Sequence, residues 1–156
     1  MPAARAHIHT QIAGRYAGHV EPALLRAAAL AALAQQRRAG RVELTIVVTG
    51  NAQLRALNRA FRQLDEPTDV LSFSADERSS HGAIYLGDVI ISYMKARQQA
   101  EAAGHAVVAE LQLLTVHGVL HLLGHDHYTE TERAVMWKAQ AAILKQIGAA
   151  IAAPKL

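Results

Sequence analysis

Residues 117–127 read HGVLHLLGHDH, and this stretch fixes what the rest of the chain has to hold in place. Three imidazoles, His117, His121 and His127, are separated by apolar residues and by Gly124. Residues four apart on an α-helix share a face about one turn apart, so His117 and His121 can aim ring nitrogens at one point. A continuing helix would carry His127 roughly 15 Å further along its axis, out of reach. Gly124 is placed to stop the helix, because glycine enters the left-handed conformation of a helix end at little cost. The pattern predicts a helix bearing two ligands, a glycine stop and a return that delivers the third. Three neutral imidazoles around one ion, with a fourth position open, is the donor set of a catalytic zinc site. In a chain with nine histidines, a bare pair at i,i+4 is weak evidence by itself. The run with Gly124, Asp126 and His127 is more specific, and two imidazoles among Val116, Val119, Leu120, Leu122 and Leu123 are costly to bury unless something satisfies them. A metal ion does.

The rest of the composition sets bounds. The chain's 156 residues suit a single domain spanning 1–156, large enough to bury a core without staples. With no cysteine there is no disulfide framework, no thiolate metal site and no cysteine nucleophile, which suits a reducing cytoplasm. Residues 1–20 mix Arg5, His7, His9 and Arg15 with apolar residues, unlike a secretory signal, and no apolar run is long enough for a bilayer, so no membrane role is expected. A formal charge of +3 permits a polyanionic partner without requiring one.

Taken in order, residues 6–12 alternate as a half-buried strand, and Pro22 opens an alanine- and leucine-rich helix to about Arg38. Residues 41–49, RVELTIVVT, form the clearest strand. Asn51 is placed to cap a helix over 52–62 whose face carries Leu54, Leu57, Asn58 and Phe61. A short strand over Val70–Phe73 precedes an exposed loop, ADERSSHG, and residues 83–92 form a strand in which Gly87 implies a bulge or a close backbone approach. Helices follow over Tyr93–Ala103 and Ala106–Leu123, the second apolar on several sides and therefore the buried central helix. Thr129 and Glu132 make a capping-box signature for a last helix to about Ile147, after which the tail frays. These elements predict an α/β (α+β) fold: a small mixed sheet packed against helices, with the metal ligands on the central one.

A second informative stretch is residues 57–73, LNRAFRQLDEPTDVLSF. Thr68, Asp69 and Ser72 surround a tight strand entry, where such side chains bond backbone donors. By chemistry alone, Arg59 and Arg62 are best read as solvated residues complementing a helix C-terminus. The other reading is a guanidinium that faces the metal and grips phosphate oxygens.

FR followed by PTDVLSF at 61–73, LGDVIIS at 86–92 and HGVLHLLGHDH at 117–127 together resemble the YbeY family of bacterial ribosomal RNA maturation endoribonucleases. The resemblance covers roughly residues 41–140. The family's usual last motif is HGxLHLxGYDH, and here His125 stands at the tyrosine position, so either His125 or His127 could be the third ligand; the motif's final position favours His127. The resemblance implies one zinc ion per chain held by His117, His121 and His127. It implies metal-dependent cleavage of single-stranded RNA in small-subunit maturation and ribosome quality control, with the small ribosomal subunit and assembly proteins as partners and no DNA substrate. It also maps the arginine of the FR motif onto Arg62 and turns that residue from structural to catalytic.

Two rival readings stay open. Zinc peptidases place a glutamate base directly after the first histidine, as HExxH, but that position here is Gly118. A non-enzymatic ribosome-assembly factor with a structural zinc would need four protein ligands, and His125 is the available fourth. Asp126 is read as orienting a ligand imidazole rather than as a base. Whether water or the RNA 2′-hydroxyl is the nucleophile is not decided by the sequence.

Overall fold

The structure, a computed structural model, describes residues 5–78, 82–149 and 151. Along the chain come β1 (Arg5–Ile12), a 3-10 turn (Gly14–Tyr16), α1 (Pro22–Gln35), β2 (Arg41–Thr49), α2 (Asn51–Arg62), β3 (Val70–Arg78), β4 (Ile84–Ser92), α3 (Tyr93–Ala103), α4 (Val107–Leu122) and α5 (Glu130–Gln146). The sheet order is β1-β2-β4-β3, with β1, β2 and β4 parallel and β3 antiparallel on the edge beside β4. This is the mixed-sheet α/β architecture that the order of elements predicts.

Strand alternation decides which face takes the helices. Register aligns Ile8 with Leu44, Ile46 with Val89 and Val48 with Ile91, and these residues form the inner face of the main core. Across it lie α1, whose stripe of Leu25, Ala28, Ala29, Ala32 and Leu33 is buried, and α4, which is buried nearly all round. The small side chains of α1 let it pack close against α4. The opposite face is covered by α2 only at one end, where Leu54, Leu71 and Ile90 form a second, smaller cluster with Leu57 and Phe73 at its margin. Phe61 and Arg62, in the last turn of α2, are left exposed.

Gly87 fulfils both readings of its place in a strand. The register of β2 against β4 slips beside it, and at φ 139° a Cβ would lie 2.1 Å from the Phe73 carbonyl oxygen of β3. Thr129 caps α5 in a full capping box with Glu132. Other expectations need correction. β3 does not stop at Phe73, because Glu77 and Arg78 pair with Tyr85 and Ile84. An edge strand is held by its ladder bonds and can be polar, which is why ADER reads as a loop. Helix α1 ends at Gln35, since Arg37 adopts φ 55° and the Arg38 N–H turns back to the Leu33 carbonyl. Asn51 lies inside α2, with Gly50 at the N-cap, and its side-chain oxygen accepts a hydrogen bond from Ser92 Oγ. Residues 79–81 of the expected loop, and the tail apart from Gly148, Ala149 and Ile151, lie outside the described residues. Among the described residues no single helix is long and apolar enough to cross a membrane.

Candidate metal centre

The site begins with how α4 meets the sheet. Gly118 faces β4 so closely that a Cβ would lie 2.4 Å and 3.0 Å from the two γ-carbons of Val89, and 3.1 Å from Ser72 Oγ. Ser72 Oγ donates to the Gly118 carbonyl at 3.1 Å, fixing helix to strand at that point. Glycine is thus the residue that lets the helix seat. With Gly118 turned to the sheet, His117 and His121 line a cleft whose other walls come from β3 and the end of α2.

Helix α4 then ends as Gly124 predicts. The Gly124 N–H bonds the His121 carbonyl, the His125 N–H bonds the Leu120 carbonyl, and Gly124 takes φ 97°. This is the paired hydrogen-bond pattern of a Schellman turn, with glycine at its left-handed position. The return brings His127 back over the helix. One ring nitrogen each of His117, His121 and His127 lies within 4.8 Å of the others, and these three are the group among the described residues able to hold a metal ion. The Nε2 atoms of His117 and His121 are 3.1 Å apart. Two nitrogens each about 2.0 Å from a tetrahedral zinc would be about 3.3 Å apart, so this spacing suits a shared ion.

Hydrogen bonding selects which nitrogens face inward. His121 Nδ1–H donates to the His125 carbonyl at 2.9 Å, which leaves the His121 Nε2 lone pair bare. His117 Nδ1 is 3.1 Å from Gln140 Oε1 on α5 and donates to it, which bares Nε2 there as well. Two lone pairs facing each other at 3.1 Å repel unless a proton or a cation lies between them. A proton is disfavoured, because burial, with neighbouring His121 second, pushes His117 down to about 4, and burial also lowers His121. The donor set therefore fits a divalent cation held by neutral imidazoles. Trp137 walls the site, its ring centroid 5.8 Å from those of both His117 and His127.

The neighbouring residues divide into those the fold brings in and those it turns away. His125 points to α1, with Nε2 2.7 Å from Gln36 Oε1. Asp126 Oδ1 is 3.8 Å from His121 Nδ1, beyond hydrogen-bonding distance, and the work of orienting that imidazole falls to the His125 carbonyl. Arg62 lines the same cleft, of about 630 Å³, together with Phe61, Asp69, Ser72 and Tyr128. Arg55, two turns earlier on α2, is instead tied to Asp65 by two hydrogen bonds of 2.9 Å and 3.1 Å. Asp69 accepts from the Val70 N–H at 2.8 Å and from Gln99 Nε2 at 3.2 Å, so it buttresses the strand entry. Gln140 is the residue that sequence patterning passes over. Its one signal is a polar side chain within the buried α5 stripe of Met136, Ala139, Ile143 and Leu144.

A family model described as "Endoribonuclease YbeY" matches residues 18–148. The chain belongs to that family. Among its relatives named Endoribonuclease YbeY, that of Carboxydothermus hydrogenoformans is 48% identical over 117 residues, covering 74% of this chain and 78% of its own. That of Roseiflexus sp. (strain RS-1) is 40% identical over 148 residues, covering 90% and 92%. A solution structure of a protein from Thermotoga maritima superposes with a TM-score of 0.59 at 23% identity, over 90% of this chain and 89% of that one, which speaks to the fold alone. The family match agrees with the three motifs that suggest YbeY in the sequence, and the cleft with its histidine trio lies inside the matched span.

Proposed function

We propose that this chain is a single-strand-specific, zinc-dependent endoribonuclease of the cytoplasm that acts in ribosomal RNA processing, on the small-subunit RNA and alongside ribosome-assembly proteins. The observation that carries the reading is the convergence of three imidazole nitrogens in a cleft that also presents the exposed Arg62. His117, His121 and His127 would hold one zinc ion. When bound, zinc supplies a Lewis acid for a phosphoryl oxygen and lowers the pKa of a coordinated water. Arg62 grips the scissile phosphate through its fork of N–H donors and offsets the charge that develops on it in the transition state. Gln140 and the His125 carbonyl hold the two helical imidazoles in the tautomers that bare Nε2.

The rival readings fare worse on this geometry. A peptidase needs a glutamate at position 118, where even a methyl group meets Val89. A closed structural zinc needs a fourth ligand, and the His125 ring is engaged by Gln36 instead. Elemental analysis of purified protein should find about one zinc per chain, and a folded His117→Ala variant should hold almost none. Arg62→Ala should keep the metal yet lose cleavage of unstructured RNA. Cleavage of a casein-like peptide in place of RNA, or full activity in the Arg62 variant, would overturn this assignment.

A further inference from the structure

Phe, Tyr and Trp make up seven residues of the chain, and the fold conceals five of them. Tyr16 and Tyr93 are buried, and Phe73, Tyr85 and Trp137 are half-buried. The remaining two are open to solvent, Phe61 at 67% and Tyr128 at 78%, and both line the cleft of the metal centre. Among the described residues, the other large apolar side chains that are exposed, Leu24, Leu30, Leu64, Val108 and Val135, are aliphatic and lie outside that cleft. Exposure of the Phe, Tyr and Trp rings is thus confined to the cleft.

The two rings arrive from separate elements, and each adjoins a residue suited to phosphate chemistry. Phe61 sits on the last turn of α2, directly before Arg62, and its ring is held edge-on by Phe73 at a centroid distance of 5.2 Å and an interplanar angle of 65°. That contact fixes the ring's orientation while leaving most of its surface uncovered. Tyr128 directly follows His127 in the return after α4, its ring centroid 6.0 Å from that imidazole. A nucleotide has the same bipartite form, an anionic phosphate joined to a flat base. A base presents its π-face to a protein ring only when it is unpaired, since bases in a duplex are stacked on each other and closed off.

We propose that Phe61 and Tyr128 are base-stacking platforms flanking the cleavage site, each taking one unpaired nucleobase, and that they give the enzyme its preference for single strands. This rests on the endoribonuclease reading above and assigns the side chains that recognise the strand. Neither ring touches the reacting atoms, so both act by positioning and binding. Stacking of a base on an aromatic side chain is sequence-tolerant, so the platforms select for flexibility of the strand rather than for particular bases.

The test is steady-state cleavage of an unstructured RNA oligonucleotide by the zinc-loaded protein, with parallel stopped-flow quenching of a 2-aminopurine placed next to the scissile phosphate. Phe61→Ala and Tyr128→Ala should each raise KM roughly tenfold and abolish the rapid quench, with kcat changed by less than about threefold. Tyr128→Phe and Phe61→Tyr, which keep a ring, should behave as wild type. An abasic residue at the flanking position should weaken wild type by a similar factor and leave the matching alanine variant no worse. Both side chains are exposed, so the variants should fold, which circular dichroism checks. Unchanged KM and quenching in both alanine variants would overturn the proposal, as would a loss confined to intact ribosomal subunits, which would assign the rings to a protein surface. A wild-type protein that fails to cleave RNA at all would instead refute the underlying endoribonuclease reading, an outcome separate from either of these.

Discussion

Replacing Gly118 by alanine adds one methyl group to the buried central helix, and the sign of its effect distinguishes a packing glycine from an incidental one. On an exposed helix face the change would stabilise the protein by about 1 kcal/mol, because alanine gives up less backbone freedom than glycine on folding. Here the new Cβ would be 2.4 Å from Val89 Cγ1 and 3.0 Å from Cγ2, whereas ordinary contact begins near 3.4 Å. The helix and strand must therefore part by roughly 1 Å. Val89 is fully buried and β-branched, so rotating its side chain exchanges one methyl for another instead of making room. Ser72 Oγ closes the remaining side while bonding the Gly118 carbonyl. Overpacking of this kind costs about 1–3 kcal/mol, and the helix-propensity gain returns about 1, for a net loss of up to about 2 kcal/mol. At this chain length that corresponds to a fall in Tm of up to about 8 °C. The measurement should be made in excess chelator, so that metal binding does not contribute. Zinc affinity should fall as well, since the parting moves His117 and His121 relative to His127. A rise in Tm for Gly118→Ala would refute the steric account. Gly118→Glu, which completes an HExxH pattern, should accumulate as unfolded protein rather than gain peptidase activity.

Two further outcomes follow from the metal centre. Burial first, and His121 second, hold His117 at about 4 against an ordinary value near 6.5, so between those values the unfolded chain binds more protons than the folded one. Stability of the metal-free protein should be fully present above about pH 6.5 and fall as pH drops towards 4, by about 3 kcal/mol for His117. Urea midpoints at pH 7.5 and 4.5 test this, and a His117→Asn variant with the same pH slope as wild type would contradict it. Gln140→Leu should weaken zinc binding about 10- to 100-fold by freeing the His117 ring, whereas His125→Ala should change it by less than about threefold. Competition with a chromophoric chelator reads both constants, and an equal loss in the two variants would make His125 a ligand.

The sequence was most legible where local chemistry and tertiary need agree. The i,i+4 histidines, the Gly124 stop and the Thr129 capping box each have a geometric reason within ten residues of chain, and the helices and turn they announce are present. Legibility failed where the deciding partner is remote. The polar half of β3 is a strand because β4 pairs with it. Asp126 stands beside the candidate ligands in sequence, but it is a main-chain oxygen, which no residue type announces, that holds the His121 ring. Gln140 reaches His117 from 23 residues away, and the open ring of Phe61 depends on what the rest of the fold leaves uncovered at the end of α2. Gly118 was legible only as a missing base, whereas the fold makes it a contact surface.

The turn after α4 divides the labour of position 125 between two kinds of atom. Its carbonyl accepts from the His121 imidazole of the candidate metal centre, while its imidazole faces away to Gln36 at the C-cap of α1. The chemical identity of this residue is thereby uncoupled from the histidine trio, and the side chain at 125 can change without altering the three candidate donors. The same arrangement makes the centre resistant to side-chain substitution at 125 but vulnerable to anything that reshapes the backbone there. A proline at 125, which removes the N–H that closes the turn on Leu120, would disable the centre where almost any other residue would be tolerated.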